Sequence, residues 1–364
     1  MTFAGGLGCS IVVASLLLAP VSGQAPAGTP KTMSTMSTTT TTARYVVPRT
    51  PDGRPDLQGT YDVATITPIE RPPQFGGRLM LTDPEAAILE RGESARVARG
   101  AQPSRGDREA PRVGGNVGGY NNFWIDRGNQ VITVDGQKRS SLIVDPPDGR
   151  IPPLTPAALK RNADRREPSP DSNEALAGES RGAFDNPEQR PLGERCLLGF
   201  SSTSGPPTLP NYFYNNFKQI VQTAEYVMIL NEMVHDARII RVGGQHLPPN
   251  IRKWNGDSIG RWEGDTLVVD TTNFTDKTRF RGSAENLHVI ERFTRVDAKT
   301  LLYKFTVDDP TTFTKPWTGE YPWPATSDPI YEYACHEGNY ALGDILRGAR
   351  LLEAEEAAKT GTKK

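Results

Sequence analysis

Apolar residues along this chain fall mostly in short unbroken runs or alternate with polar ones, the spacing of strands rather than helices. Residues 226–242, YVMILNEMVHDARIIRV, carry the densest version. One apolar run (Tyr226, Val227, Met228, Ile229, Leu230) and a second (Ile239, Ile240, Val242) enclose a polar patch of Asn231, Glu232, His235, Asp236 and Arg238. Runs rich in β-branched and aromatic residues read as strands buried on both faces. Charges set between two such strands must be solvated, paired or put to chemical use, because an unpaired buried charge is costly. Further on, Leu301, Tyr303, Phe305 and Val307 interleave with Leu302, Lys304 and Thr306, a strand with one dry face.

The same pattern predicts a hairpin from residues 217–222 and 225–233, followed by a strand at 237–242. Residues 259–263 and 266–274 pair across Gly264-Asp265, and 288–296 and 300–307 pair across 297–299. Strands at 315–323 and 330–336 complete the series. Upstream, strand signals lie near Gly59-Thr60-Tyr61, at 122–124, and at 130–134 and 141–144 around the hairpin turn Asp135-Gly136. Such short turns demand antiparallel neighbours. The predicted fold is therefore mainly β, an antiparallel meander closing into a calycin-like barrel, because an open sheet leaves two edges exposed; a β-sandwich is the alternative. Two or three peripheral helices are expected. Thr82-Asp83-Pro84-Glu85 starts one that runs towards Ala98, Thr155-Pro156 starts a short second, and residues 342–358 form a terminal third.

Between these elements the chain divides simply. Residues 1–23 read as an export signal: the apolar core IVVASLLL (11–18) is too short to span a bilayer and leads to the small residues Val21-Ser22-Gly23. A Thr/Ser-rich linker covers 24–50, one β-rich domain 51–358, and a frayed tail 359–364, with polar excursions near 100–119 and 161–192. The expected location is periplasmic or extracellular, with no transmembrane segment in the mature chain. Gly 35 and Pro 31 supply many turns, consistent with short strands. The 42 Lys and Arg nearly balance the 43 Asp and Glu, and no basic stripe marks a nucleic-acid partner. After export Cys196 and Cys335 remain, which suggests one disulfide in an oxidising compartment; two separate buried thiols are the alternative.

Two resemblances add to this. The small residue followed by an aromatic at Gly59-Thr60-Tyr61 resembles the opening strand of calycin barrels, the lipocalin-like group, with Tyr61 where that pattern usually carries Trp. The phrases IVDPPDGRIP (143–152), ILNEMVHDARII (229–240), RWEGDTLVVDTTNFTDKT (261–278), ERFTRVDAKTLLYKFTVDDPTTFTKPW (291–317) and YEYACHEGN (331–339) resemble a family of exported proteins of soil and environmental bacteria. That second resemblance spans roughly residues 50–350. It implies one continuous exported domain and no particular reaction.

Three chemistries are open. His235, His288 and His336 lie in or beside predicted strands with carboxylates close by, so strands that converge in a barrel could gather them around a divalent metal, although HExxH, HxH and CxxC are absent. The leading reading is acid–base catalysis, hydrolase or lyase, with His235, His288 or His336 as base, Glu232, Asp236 or Glu291 as partner, and Arg238 or Arg292 to bind an oxyanion. A non-catalytic barrel would instead hold a small organic or sugar-derived ligand against Tyr214, Phe217, Trp262, Trp317 and Trp323. The bland reading of each charged residue is a structural ion pair across strands. His246, in a Gly/Pro loop, reads as an ordinary surface residue.

Overall fold

The computed structural model describes residues 45–102, 125–165, 184–199, 205–211, 214–278, 280–359 and 361. The expected export signal, most of the linker, the strand at 122–124, most of both polar excursions and most of the tail lie outside the described residues.

Strand β1 (Gly59–Asp62) is followed by helix α1 (Asp83–Gly100), the small hairpin β2 (Thr133–Val134) and β3 (Gln137–Lys138), and then β4 (Ile143–Asp145) and helix α2 (Pro156–Arg165). The main series is β5 (Phe217–Gln222), β6 (Tyr226–Asn231), β7 (Asp236–Val242), β8 (Asp257–Glu263), β9 (Thr266–Thr272), β10 (His288–Arg295), β11 (Thr300–Asp308) and β12 (Trp317–Thr326). Helix α3 (Tyr340–Lys359) ends the chain. The sheet order is β1-β5-β6-β7-β8-β9-β10-β11-β12, and β12 pairs back onto β1, so the sheet closes into a barrel with β4 added beside β12. Closure removes the exposed edges and decides for the barrel over the sandwich.

Local chemistry explains most element boundaries. Thr82 accepts from the Glu85 N–H and the Glu85 carboxylate accepts from the Thr82 N–H, a capping box that starts α1. Asp135 and Gly136 both take positive φ (51° and 74°), as the tight turn between β2 and β3 requires. Proline inside β12 is tolerated because of its direction. The Glu320 N–H points away from β11 to the Leu142 carbonyl, so Pro322 and Pro324, two and four residues on, lack only donors on that same side.

Two expectations change. The connection from β7 to β8 is long, residues 243–256, and returns the chain so that β7 and β8 run parallel, with Ile240 opposite Ser258. All other barrel pairings are antiparallel. The strand expected at 330–336 does not form: these residues are irregular, and Cys335 is bridged to Cys196. Among the described residues no helix is long and apolar enough to cross a membrane.

The barrel interior is the core. Tyr61, Phe293, Tyr303, Phe305, Trp317, Tyr321 and Trp323 are all buried there. Tyr303 is their hub, with ring centroids 5.0 Å from Phe293, 4.9 Å from Trp323 and 5.4 Å from Tyr321. Tilted and edge-on ring pairs of this kind contribute about 0.5–1.5 kcal/mol beyond their buried area.

Candidate functional site

At one end of the barrel the inward positions turn polar. Strand register places Tyr61, Lys218, Asn231 and Asp236 opposite one another on β1, β5, β6 and β7, one row across four strands. The row lies near the rim, since Asn231 ends β6 and Asp236 begins β7. Lys218 is fully buried, and its ammonium has no hydrogen-bond acceptor among the described residues. Burial lowers its pKa from 10.5 to about 8, against the attraction of Glu232 and Asp236. Burial also raises the Asp236 carboxyl, against a hydrogen bond from Asn255 and the positive charges of Arg238, Lys218 and His235.

A second polar group lies next to this row, and each of its guanidinium nitrogens is hydrogen-bonded. The Arg238 guanidinium forms a two-pronged ion pair with Glu291, Nη1 donating to Oε1 at 3.0 Å and Nη2 to Oε2. Nε also donates to Ser258 Oγ and Nη2 to Thr271 Oγ1, both at 3.0 Å. Tyr303 donates to Glu291 Oε1 at 2.8 Å and accepts from the Thr208 N–H at 2.8 Å, while Tyr321 donates to the Thr208 carbonyl. Residues 205–211 are buried throughout, so an irregular segment is held inside the barrel by two tyrosine hydroxyls. A Cβ at Gly205 would strike the side chain of Asn255, which bonds Asp236.

The turn between β6 and β7 is built around Glu232. Its Oε2 accepts from the Phe217 N–H and its Oε1 from the Tyr331 N–H. Both oxygens thus serve the backbone, joining β5 to the irregular segment after β12. Val234 in this turn has φ 62°, an unfavourable conformation for a β-branched residue, and its burial holds it there.

The histidines do not converge. His235 is exposed at the end of that turn, and His336 is exposed in the irregular segment after β12. His288 lies on the outer face of β10, where its Nε2 contacts Asp270 at 3.1 Å. No group of three or more His, Cys, Asp or Glu among the described residues is arranged to hold a metal ion, so the expected three-histidine centre has no counterpart there. Arg292 is also on the outer face of β10 and pairs with Glu263. Of the expected ligand-binding aromatics, Trp317 and Trp323 are buried inside and Trp262 packs partly buried against the core. Phe217 lies half-buried outside the core, and Tyr214 stacks on Tyr333 at 6.3 Å.

Lys218 and Tyr303 were missed as site residues because their neighbours in sequence are ordinary strand residues. The one available signal was a charged residue at an inward position of an alternating strand, Lys218 between Phe217 and Gln219. His246 corrects the sequence reading, since it is no ordinary surface residue: Nδ1 lies 3.3 Å from Asp257 and Nε2 3.0 Å from Asp270. The loop 243–256 folds back to place it there, which no local spacing reveals.

The fold and site define a closed, mixed β-barrel with a charged row at one internal end. No protein-family model and no curated protein matches the chain. Among solved structures, a mutant of the fluorescent protein UnaG is similar over 31% of this chain and 72% of that one, with 13% identity and a TM-score of 0.20. The barrel assignment rests on the strand pairing of this chain itself.

Proposed function

We propose that this protein is an exported barrel that binds a small organic molecule in its interior, at the Lys218 end. The observation carrying this reading is the Lys218 ammonium, wholly buried on the inner face and without an acceptor among the described residues. A buried donor left unpaired costs free energy, so a ligand that accepts from it gains what the protein alone forgoes. The indole N–H groups of Trp317 and Trp323, also buried without an acceptor among the described residues, extend the same preference for an acceptor-bearing ligand with a flat apolar body. The Cys196–Cys335 disulfide accords with an oxidising compartment.

The acid–base enzyme reading draws less support. Glu232 spends both carboxylate oxygens on backbone N–H groups, Arg238 is committed to Glu291, and His235 and His336 are exposed. A ligand-observed NMR screen of small aromatic, carbonyl and sugar-derived compounds tests the proposal. The expected hits bind the wild type, lose binding in Lys218→Met, and keep it in Phe217→Leu outside the core. Hits indifferent to Lys218→Met would exclude the interior seat.

A further inference from the structure

We propose that Lys218 forms an imine with an aldehyde or ketone carried on a flat apolar ligand, a step that rests on the interior binding proposed above. The geometry favours a carbonyl over an anion. An anionic ligand beside Lys218 would face the Glu232 carboxylate while Arg238 is already neutralised by Glu291. An uncharged carbonyl oxygen adds no charge to this set and accepts from the ammonium or from the indole donors. Tyr61, opposite Lys218 in the row, and Trp323, whose ring lies 6.3 Å from that of Tyr61, suit a planar conjugated body.

The row also contains what imine formation needs. The neutral Lys218 nitrogen attacks the carbonyl carbon, the C=O π bond opens, and the oxygen takes up a proton while the nitrogen gives one up. The resulting carbinolamine loses its hydroxyl as water after accepting a second proton, and the nitrogen lone pair closes the C=N bond. The nitrogen then sheds its remaining proton, so amine and carbonyl become imine and water with no redox partner. Asp236, two strands away in the same row, is the proton donor. Burial favours its protonated form and favours the neutral Lys218 amine, so both groups are biased towards the states the reaction uses. Charged groups facing the pair are Glu232 from the turn after β6, Arg238 from β7 and His235 from the turn before it.

The test uses the full chain and 6-methoxy-2-naphthaldehyde with cyanoborohydride, which traps imines as stable secondary amines. Intact mass and peptide mapping locate the label, and quenching of tryptophan fluorescence by the matching alcohol reports binding without chemistry. The proposal expects a single dominant label on Lys218, with a rate that rises through a midpoint near pH 8 rather than near the ordinary lysine value. Asp236→Asn should slow labelling roughly 100-fold, the usual scale of a lost general acid, while the alcohol still binds. Lys218→Met and Lys218→Arg should both lose that label while keeping a cooperative thermal transition. Label spread over surface lysines alike in wild type and Lys218→Met would overturn the proposal. Alcohol binding with Lys218 unlabelled would overturn the imine and leave the binding barrel standing, whereas neither binding nor labelling would overturn both.

Discussion

Burial lowers Lys218 from 10.5 to about 8, a shift equivalent to roughly 3 kcal/mol of penalty on the charged form. Replacing the ammonium by a thioether of similar length removes the penalty, so Lys218→Met is expected to raise stability by up to about 3 kcal/mol while abolishing ligand binding. The sign of the pH dependence follows from the direction of the shift. Below about pH 8 folded and unfolded chains both hold the proton and the full penalty applies. Between there and roughly 10.4 the unfolded chain binds more protons, so stability from this group rises with pH. Denaturant melts of wild type and Lys218→Met should therefore converge from pH 8 to pH 10; a constant gap would contradict the buried cation. On the outer face, His288 is raised by its hydrogen bond to Asp270 against desolvation. Desolvation pushes Asp270 up, but bonds from His288 and His246 hold it low. The His288 contribution is complete below its ordinary 6.5 and fades as pH rises through the elevated value, while that of Asp270 fades only at acid pH. NMR titration of the ring should show His288 falling to or below 6.5 in Asp270→Asn, since only desolvation and the weaker charge of Asp308 then remain.

Among the elements, the buried segment 205–211 and the Arg238–Glu291 pair share Tyr303 as their link. Tyr303→Phe leaves the Thr208 N–H without that partner, removes one of the two donors to Glu291 Oε1, and should cost about 1–3 kcal/mol. Tyr321→Phe removes the bond to the Thr208 carbonyl and leaves the Thr208 N–H bonded to Tyr303, so amide exchange at Thr208 should rise more in Tyr303→Phe. Removing one member of the ion pair, as in Glu291→Gln or Arg238→Met, should cost about 3–5 kcal/mol by stranding its partner. The double variant Arg238→Met/Glu291→Leu should recover most of that loss, which thermal melts of the three proteins would measure. The strands from β5 to β12 were legible because alternation and two-residue turns such as Gly264-Asp265 are local signals. The parallel β7–β8 pairing was not, because it depends on where fourteen residues of loop (243–256) return, and loops carry no register. Arg238 and Glu291 were legible as charges in strands. Their mutual pairing was not, because it joins β7 to β10 through the interior, 53 residues apart.

For the whole molecule, the disulfide spans nearly all of the barrel. Cys196 precedes β5 and Cys335 follows β12, a separation of 139 residues, so the bridge encloses every barrel strand except β1. Neither cysteine lies in a strand, and the segment bearing Cys335 is also held by the Glu232 bond to the Tyr331 N–H. The bridge should therefore act mainly on the unfolded chain, restricting a long loop, with little effect on the packing of the folded barrel. In the chain-entropy picture a loop of this length contributes about 5 kcal/mol, an upper value if the unfolded chain is compact. The double substitution Cys196→Ser/Cys335→Ser is expected to lower Tm while leaving the near-ultraviolet circular dichroism of the buried aromatic cluster unchanged at low temperature. Loss of that aromatic signal at low temperature would instead place the bridge within the packing of the native barrel, holding the interior rings rather than limiting the unfolded chain.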